Sequence, residues 1–391
     1  MKICALIAEY NPFHLGHLKH IDYIRNTLKA DKVIAIMSGN FTQRGDIAVL
    51  DKFTRAKHAV NAGADIVIEL PTVFATANAE IFAKGAINII NSLGIVDQIC
   101  FGVESGKKEE YVALANALND ESKPFKKALK EHLDKGVSLA KAKFMAVKDV
   151  YGNDFNEELI NSPNNVLGLE YTKALLSLNS GIEICPMIRE GDHNDLTLKK
   201  GITSATSIRE ILKMGKIKKL KKNLPDFVYE DLCEYPHAFD KLCLASLVKT
   251  DAQDLSKILD CTEGLENRIK ALSKDNLELE NLIEKVSTKR YTKTRIRRIL
   301  TANFLGINEK FVLECLSSPL YAKVLAFRTS EKDLISVLNH NSSIPLLMRK
   351  SDTDKLKKTA KSCFAKDTLA TDLYSLITNI KLNENNVVIV E

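Results

Sequence analysis

The architecture of this chain follows from residues 3–17, whose sequence is ICALIAEYNPFHLGH. The first six residues of this stretch form an unbroken apolar run, which is typical of a strand buried on both faces of a parallel sheet. A polar loop follows, and apolar residues then recur with the period of a helix at Leu18, Ile21, Ile24 and Leu28. The loop is therefore predicted to lie at the carboxyl end of a strand, where open α/β sheets bind their ligands.

The same alternation of strand and helix continues through the first half of the chain. Further strands are predicted at residues 33–37, 65–70, 98–101 and 182–188. Helices are predicted at residues 17–28, 53–62, 77–93 and 204–214, and residues 107–180 are predicted to be mostly helical. Strands separated by helices of this length form a right-handed parallel sheet with helices on both faces.

The second half of the chain has a different pattern. From about residue 225, helical periods dominate, charged residues become denser and strands are nearly absent, apart from a short one predicted at residues 386–390. The chain has 391 residues, more than the roughly 250–300 at which a single core stops growing. The expected fold class is α/β, with a Rossmann-like domain containing a parallel sheet at residues 1–222 and a mainly α-helical C-terminal domain at residues 223–391.

The composition excludes several classes of protein. Hydrophobic residues make up 45% and charged residues 27%, as in an ordinary globular protein, and a net charge of +6 does not by itself indicate a nucleic-acid binder. Eight scattered cysteines without a C-x-x-C pair favour free thiols over disulfides or zinc. The first apolar run is too short for a signal peptide, and no long apolar stretch exists, so we expect a cytoplasmic protein without a membrane span.

His14, Gly16 and His17 form the first candidate site. Gly16 has no Cβ, so a phosphate can approach the backbone, and the helix that begins here offers free N–H groups and the positive end of its dipole. His14 and His17 share one face of a helical turn, and two imidazoles directed at one phosphate stabilise the charge that develops during attack on phosphorus. H-x-G-H alone is a weak signal that ordinary loop and helix residues also give, but its place after a buried strand and before an amphipathic helix favours a phosphate-binding site.

A second candidate site lies at residues 202–209, where a Ser/Thr-rich segment precedes a helix. The hydroxyls of Ser204 and Thr206 and the helix N–H groups can hold a phosphate, and Arg209 adds positive charge. Alone, this segment would be interpreted as an ordinary N-cap. Paired with the upstream HLGH sequence, it resembles the nucleotidylyltransferase superfamily, whose shared step is attack on the α-phosphate of ATP with release of pyrophosphate.

Longer motifs narrow the resemblance. They are EYNPFH at residues 9–14, MSGNFTQRG at residues 37–45, GADIVIELP at residues 63–71, FGVE at residues 101–104, PNNVLG at residues 163–168 and KRYT at residues 289–292. Over nearly its whole length the chain resembles the tRNA(Met) cytidine acetate ligases. The resemblance implies an enzyme that makes acetyl-adenylate from acetate and ATP and transfers the acetyl group to N4 of the wobble cytidine of elongator tRNA(Met).

The resemblance also implies which residues hold ATP, with His14 and His17 as the catalytic pair. The first loop and helix supply Ile7, Ala8, Glu9, Tyr10, Asn11, Pro12, Phe13, His14, Leu15, Gly16, His17, Leu18, Lys19 and His20. Gly102, Arg189 and either Asn164 or Asn165 complete the family's set, and the second candidate site adds Ser204, Thr206 and Arg209. Residues 188–193 depart from the family's usual R-I-G-A-G-Y-H form, although Arg189 keeps its place.

The implied chemistry fits the residues present. The carboxylate of acetate is already a nucleophile at neutral pH, so the site must supply orientation and charge neutralisation rather than a covalent intermediate. Mg²⁺ is expected to accompany ATP with phosphate and water ligands, so no protein metal site is expected. The loop at residues 37–46 either lines the acetate or cytidine pocket or is a surface loop. Arg55 and Lys57 are expected to face solvent.

Two basic segments are candidates for contact with tRNA. Residues 288–298 hold six basic residues and no acidic one, and a Tyr among them can stack on an unpaired base. Because Ile296 and Ile299 occupy the apolar face, Arg295 and Arg298 are expected to point outward. The tRNA-binding residues predicted here are Lys289, Arg290, Tyr291, Arg295, Arg297 and Arg298. The lysines at positions 213, 216, 218, 219, 221 and 222 either guide the anticodon arm or form a soluble linker.

Two alternatives to a tRNA ligase remain at this point. A small-molecule adenylyltransferase would need only the first domain, so the long basic helical half of the chain argues against it. A non-catalytic RNA-binding protein with an inactive nucleotide fold would not need the intact His14 and His17. A nucleotide-dependent assay separates the three, because only a ligase consumes ATP together with acetate and tRNA. The sequence does not predict the oligomeric state.

Overall fold

A computed structural model describes residues 1–120, 122–136, 139–152, 154–189 and 204–391. Within these residues, one sheet contains strands β1 (Ile3–Ala8), β2 (Lys32–Ser38), β3 (Ile66–Leu70), β4 (Gln98–Val103), β5 (Glu183–Ile188), β6 (Ala322–Arg328), β7 (Leu346–Leu347) and β8 (Val388–Val390). The strand order is β5-β4-β1-β2-β3-β6-β7, and β8 pairs with β6. Strands β1 to β5 are mutually parallel, whereas β6 joins β3 in the antiparallel direction.

Helices cover both faces of this sheet. In the first half they are α1 (Leu15–Asn26), α2 (Lys52–Asn61), α3 (Thr72–Ala75), α4 (Ala79–Ser92), α5 (Lys108–Leu118), α6 (Lys123–Asp134), α7 (Leu139–Tyr151), α8 (Pro163–Ser177) and α9 (Ala205–Lys213). The second half contains α10 (Asp226–Tyr229), α11 (Ala238–Lys249), α12 (Ala252–Leu255), α13 (Leu265–Ser273), α14 (Leu279–Val286), α15 (Lys293–Leu305), α16 (Glu309–Leu316), α17 (Lys332–Asn341) and α18 (Lys358–Thr378). None of the helices in the described part of the chain is both long and apolar enough to cross a bilayer.

The five parallel strands confirm the α/β prediction. Side chains on β1 alternate between the two faces of the sheet: Ile3 and Ala5 pack into one apolar core, and Cys4 and Leu6 pack into the other. Both faces of β1 are therefore buried away from solvent, which explains the unbroken apolar run near the start of the chain. The helical C-terminal region is also confirmed, because α10 to α18 cover most of the second half.

The near absence of strands predicted for the second half is wrong at β6. This strand continues the sheet beyond β3, and its sequence, AKVLAFR, is almost entirely buried. A short apolar run cannot be distinguished from a buried helical segment by periodicity alone, so periodicity did not identify this strand. The short strand predicted at residues 386–390 is confirmed by β8. A domain division at residues 222 and 223 remains a prediction, and the sheet takes strands from both sides of it.

The strand order identifies one edge of the sheet as special. From β1 the chain proceeds through β2 to β3 on one side, and β4 and β5 then return to the other side of β1. The order therefore reverses between β1 and β4, and loops at the carboxyl ends of these two strands diverge around a crevice. Open α/β sheets bind ligands at such a switch point. The HLGH sequence follows β1, and Gly102 lies near the end of β4.

Candidate active site

The HLGH turn forms the amino-terminal cap of α1. The backbone N–H of Gly16 donates to Nδ1 of His14 at 3.0 Å, and the N–H of His14 donates to Nδ1 of His17 at 3.2 Å. The two imidazole rings stack with their centroids 3.7 Å apart. Because both Nδ1 atoms accept hydrogen bonds, the proton of each neutral ring lies on Nε2. A Cβ on Gly16 would lie 2.9 Å from the His14 ring, so this turn requires glycine.

His17 and His20 are held in the neutral form. Burial lowers the pKa of His17 well below its ordinary value, and electrostatic repulsion from Arg189 and from the protonated forms of His14 and His20 adds to the effect. Burial likewise lowers the pKa of His20 to about 4, with Arg189 contributing. At neutral pH, His17 therefore acts as a hydrogen-bond donor rather than a cation. The rings of Tyr10 and Phe13 pack against it at 4.8 and 5.4 Å.

Arg189 lies across the crevice from this turn, beside Gly102. The backbone N–H of Arg189 donates to the carbonyl of Val103 at 2.8 Å, which continues the pairing of β4 with β5. A Cβ on Gly102 would lie only 2.9 Å from Cδ of Arg189, so the glycine makes room for the arginine side chain. The fold thus brings together three residues that are far apart in sequence: His17, Gly102 and Arg189. Residues 190–193 of the divergent motif lie outside the described residues.

The second candidate site adjoins the first. Ser204 caps α9, with its Oγ accepting from the backbone N–H of Ser207 at 3.2 Å. Arg209 donates from Nη1 to the carbonyl oxygen of Asn11 at 2.9 Å, and from Nη2 to Oγ1 of Thr206 at 3.2 Å. The amino-terminal end of α9 is therefore fastened to the loop that precedes the HLGH turn. Residues 202 and 203 of this segment lie outside the described residues.

Asn164 and Asn165 have different environments. Asn165 is fully buried, and its Oδ1 accepts from the N–H groups of Glu104 and Ser105 and from the hydroxyl of Tyr111. Its amide nitrogen donates both hydrogens, to Oγ of Ser105 and to a backbone carbonyl, at 3.0 Å each. Asn164 is partly exposed, and its amide donates to Oε1 of Glu104 at 2.6 Å. The Asn165 amide is thus fully hydrogen-bonded within the protein, whereas Oδ1 of Asn164 accepts no hydrogen bond from the described residues.

Arg55 contradicts the expectation that it faces solvent. Its side chain is fully buried and donates to the carbonyl oxygens of Leu50 at 2.9 Å, Glu9 at 2.5 Å, Ser38 at 3.1 Å and Gly39. A guanidinium has five N–H donors and can join several carbonyls that would otherwise lack partners. Arg55 therefore fixes the chain at the ends of β1 and β2. No helical period distinguishes it from Lys57, which is exposed as expected.

The loop at residues 37–46 touches the first loop directly. The backbone N–H of Gln43 donates to Oε1 of Glu9 at 2.6 Å. On its other side this loop packs against α15. Arg297 donates to Oδ1 of Asp46 at 2.9 Å, and a Cβ on Gly45, which has φ of +76°, would lie 2.7 Å from the backbone of α15. A role for this loop in an acetate or cytidine pocket remains a prediction.

The expectation that Arg295 and Arg298 point outward is wrong. Arg295 donates from Nε and Nη2 to the carbonyl of Asp260 at 2.9 and 2.6 Å and lies over the ring of Tyr291. Arg298 is largely buried and lies 3.6 Å from the Asp260 carboxylate. Helical periodicity predicted the buried face correctly, but it could not show that the loop between α12 and α13 would supply partners for these two arginines.

The remaining basic residues are more accessible. Lys289 and Arg290 are exposed, and Arg290 pairs with Glu263. Lys213 pairs with Glu210 at 3.2 Å. Beyond it, the lysine segment (residues 216–222) carries five exposed lysines without an ion-pair partner among the described residues: Lys216, Lys218, Lys219, Lys221 and Lys222.

Comparisons with known proteins identify the family of this chain. The chain matches the family described as HIGH Nucleotidyl Transferase over residues 1–387. The tRNA(Met) cytidine acetate ligase of Acetivibrio thermocellus is 38% identical and that of Clostridium novyi 39% identical, over 96% of this chain and 94% and 96% of their own lengths. Crystal structures of Thermotoga maritima TmcAL, apo and bound with alpha-thio ATP, superpose with TM-scores of 0.94 and 0.91 at 29% identity over 100% of both chains. The chain therefore belongs to the family of tRNA(Met) cytidine acetate ligases.

Proposed function

We propose that this protein uses ATP to activate acetate as acetyl-adenylate and then acetylates N4 of the wobble cytidine of elongator tRNA(Met). The observation that carries the proposal is the convergence of His14, His17 and Arg189 on the crevice between β1 and β4, at the amino-terminal end of α1. Such an arrangement suits an anion that is attacked at phosphorus. The names of the curated relatives and the ATP analogue bound to the Thermotoga maritima protein support this proposal.

In the first step, the acetate carboxylate attacks the α-phosphate of ATP and pyrophosphate leaves. His17 contributes a neutral Nε2–H donor, and Arg189 contributes a fixed positive charge toward the phosphate oxygens. The positive end of the α1 dipole adds to this stabilisation of negative charge. Mg²⁺ would enter with ATP as part of the substrate, with phosphate oxygens and water as its ligands.

Of the two asparagines, Asn164 is the better candidate for contact with ATP. A contact through Asn165 would require breaking the hydrogen bonds of a fully buried side chain. Breaking them costs about 1–3 kcal/mol for each polar group left without a partner. Asn164 lies on the first turn of α8 and is partly exposed. Asn165 would then have a structural role, because it joins α8 to the loop after β4.

For the tRNA, we propose that the lysine segment is the principal phosphate-binding surface. It follows α9, whose Arg209 is bonded to the loop before the HLGH turn. The lysine segment begins three residues after α9 ends, so it follows directly on a helix that is anchored at the site. A cytidine that enters the crevice would bring the phosphates of neighbouring nucleotides within reach of these side chains.

The experiment that tests the function is mass spectrometry of unmodified elongator tRNA(Met) after incubation with the protein, ATP, Mg²⁺ and acetate. We expect a gain of one acetyl group on the anticodon cytidine that depends on ATP. The His17→Asn variant retains an acceptor for the His14 N–H, so the turn should still form, but the Nε2 donor is lost. We expect acetylation to fall about 10²–10³-fold in this variant, as for the loss of one donor to a developing anion.

His340→Ala is a matched control, because His340 is exposed at the end of α17 and lies outside the proposed site. Acetylation that proceeds without ATP, or at an equal rate in the His17→Asn variant, would contradict the proposal. Pyrophosphate release without acetylation would mean that the adenylation chemistry is correct and that the acid or the acceptor is wrong.

A further inference from the structure

Glu9 is the first residue after β1 and lies in the loop predicted to hold ATP, but the adenylation step proposed above assigns no role to its carboxylate. Oε1 accepts the backbone N–H of Gln43 at 2.6 Å, and the Glu9 main-chain carbonyl accepts from Arg55 at 2.5 Å. Oε2 has no hydrogen-bond partner within the described ranges, and the side chain is partly exposed. The carboxylate is therefore held in place through one oxygen, while the other remains available beside the HLGH turn.

Three arginines and one tyrosine, from four segments of the chain, surround Glu9. Arg209 approaches from α9, Arg44 from the loop after β2 and Arg55 from α2, while the buried Tyr171 lies on α8. Burial raises the pKa of the Glu9 carboxyl above its ordinary value, and the Gln43 N–H and the three arginines act in the opposite direction. Burial has the larger effect, so this carboxylate is a stronger base than an exposed glutamate.

The transfer step of the proposed reaction needs a base. The lone pair of the cytidine N4 amine is delocalised into the ring, so the nitrogen must lose a proton as it bonds to the acetyl carbon. The two histidines cannot readily accept that proton. Nδ1 of His14 and Nδ1 of His17 accept backbone hydrogen bonds, and in the neutral rings each Nε2 carries a proton. A carboxylate at the same edge of the sheet meets the requirement.

We infer that Glu9 is the general base of acetyl transfer. As the bond from N4 to the acetyl carbon forms, Oε2 of Glu9 accepts one proton from the amine. The bond from the acetyl carbon to the phosphate oxygen breaks, and its electron pair leaves with AMP. The product is the N4-acetyl amide, and the proton later passes from the Glu9 carboxyl to water. This assignment rests on the function proposed above.

The test compares the two half-reactions in the full-length protein and its Glu9→Gln variant. Gln is nearly the same size and retains an oxygen for the Gln43 N–H. We expect acetate-dependent exchange of labelled pyrophosphate into ATP to fall far less than transfer, because the variant keeps the contact with Gln43 that positions the loop. Single-turnover transfer to tRNA should fall about 10²–10⁴-fold, the usual contribution of a positioned base.

The wild-type transfer rate should rise with pH through the pKa of Glu9 and then level off, because only the ionised carboxylate accepts a proton. That rise should be absent in the variant.

Glu314→Gln is the matched control, since Glu314 is exposed on α16 and pairs only loosely with Lys310, at 4.0 Å. A Glu9→Gln variant with wild-type transfer and an unchanged pH profile would overturn the inference. An equal loss of exchange and transfer would also overturn it, because Glu9 would then act in adenylate formation. If the wild-type protein itself showed neither half-reaction, the proposed function would fail first, so the two failures can be told apart.

Discussion

The two basic segments of this protein have similar charge and different surroundings. Along α15, which we call the basic helix (Lys293–Leu305), Arg295, Arg297 and Arg298 contact acidic side chains or carbonyls of the protein. In the lysine segment, five ammonium groups are exposed and lack ion-pair partners among the residues that the structure describes. A run of positive charge in a sequence therefore does not distinguish a binding surface from an internal scaffold.

The residue types are suited to these two roles. Arginine has a planar fork of five donors and forms several hydrogen bonds inside a protein, whereas lysine is a compact and strongly hydrated charge. The basic helix also has a task in the fold, because Arg297 bonds to Asp46 and Thr301 donates to the carbonyl of Gly45 at 2.5 Å. It thereby supports the loop whose Gln43 holds Glu9. Among the described residues, the lysine segment makes no comparable contacts.

The largest expected effect is the loss of stability in an Arg297→Ala variant. Asp46 is largely buried, and it would lose its charged hydrogen bond with Arg297. The contact between the same guanidinium and Glu280 would also be lost. We expect the free energy of unfolding to fall by about 1.5–3 kcal/mol, the range for hydrogen bonds to charged groups. Urea denaturation measures this change, and pyrophosphate exchange should fall with it because the loop at residues 37–46 loses its support.

Arg290→Ala is the matched control for Arg297→Ala. Arg290 also pairs with a glutamate, but both partners are exposed, and such pairs contribute about 0–1 kcal/mol. If the two variants were equally stable, the distinction between an internal scaffold and an accessible surface would be lost.

Replacing four residues of the lysine segment should have the next largest effect, and on a different property. In a variant with Lys218, Lys219, Lys221 and Lys222 changed to Gln, we expect tRNA affinity to fall about 10–100-fold at low salt. Each lost phosphate contact should reduce the slope of log affinity against log salt by about 0.7–0.9. The free energy of unfolding and the rate of pyrophosphate exchange should stay unchanged, because these side chains have no ion-pair partners in the described part of the chain.

The control for this variant removes the same charge elsewhere, through Gln at four exposed lysines: Lys310, Lys357, Lys358 and Lys361. A filter-binding titration over a range of salt concentrations measures both. If both variants lowered affinity equally, net charge rather than a defined surface would govern binding.

The fold was largely predictable because its signals are local. The strands β1 to β5 are apolar runs bounded by turns, and helices such as α4 repeat apolar residues with helical period. The antiparallel β6 was missed, because its neighbour β3 lies more than 250 residues earlier in the chain. No local pattern encodes such a pairing.

For the site, the sequence indicated residue types better than it indicated environments. The HLGH turn, Gly102 and Arg189 lie together at the crevice, where the motifs place them. The environment of Arg55 was predicted wrongly because its four carbonyl partners lie in three separate segments of the chain. The arginines of the basic helix were misjudged for the same reason, since Asp46 is some 250 residues from Arg297. Ion pairing is a property of the packed chain, and a charge count cannot reveal it.

The smallest expected effect belongs to Lys289 and Arg290, the accessible residues just before the basic helix. Because Lys289 is exposed and Arg290 pairs only with Glu263, their joint change to Gln removes at most one or two phosphate contacts. We expect tRNA affinity to fall less than about fivefold and stability to stay within about 0.5 kcal/mol. Combined with the lysine-segment variant, the two losses should add, since distant sites that share no partner behave independently. A fall larger than that of the lysine segment would reverse the comparison and make the start of the basic helix the principal contact with tRNA.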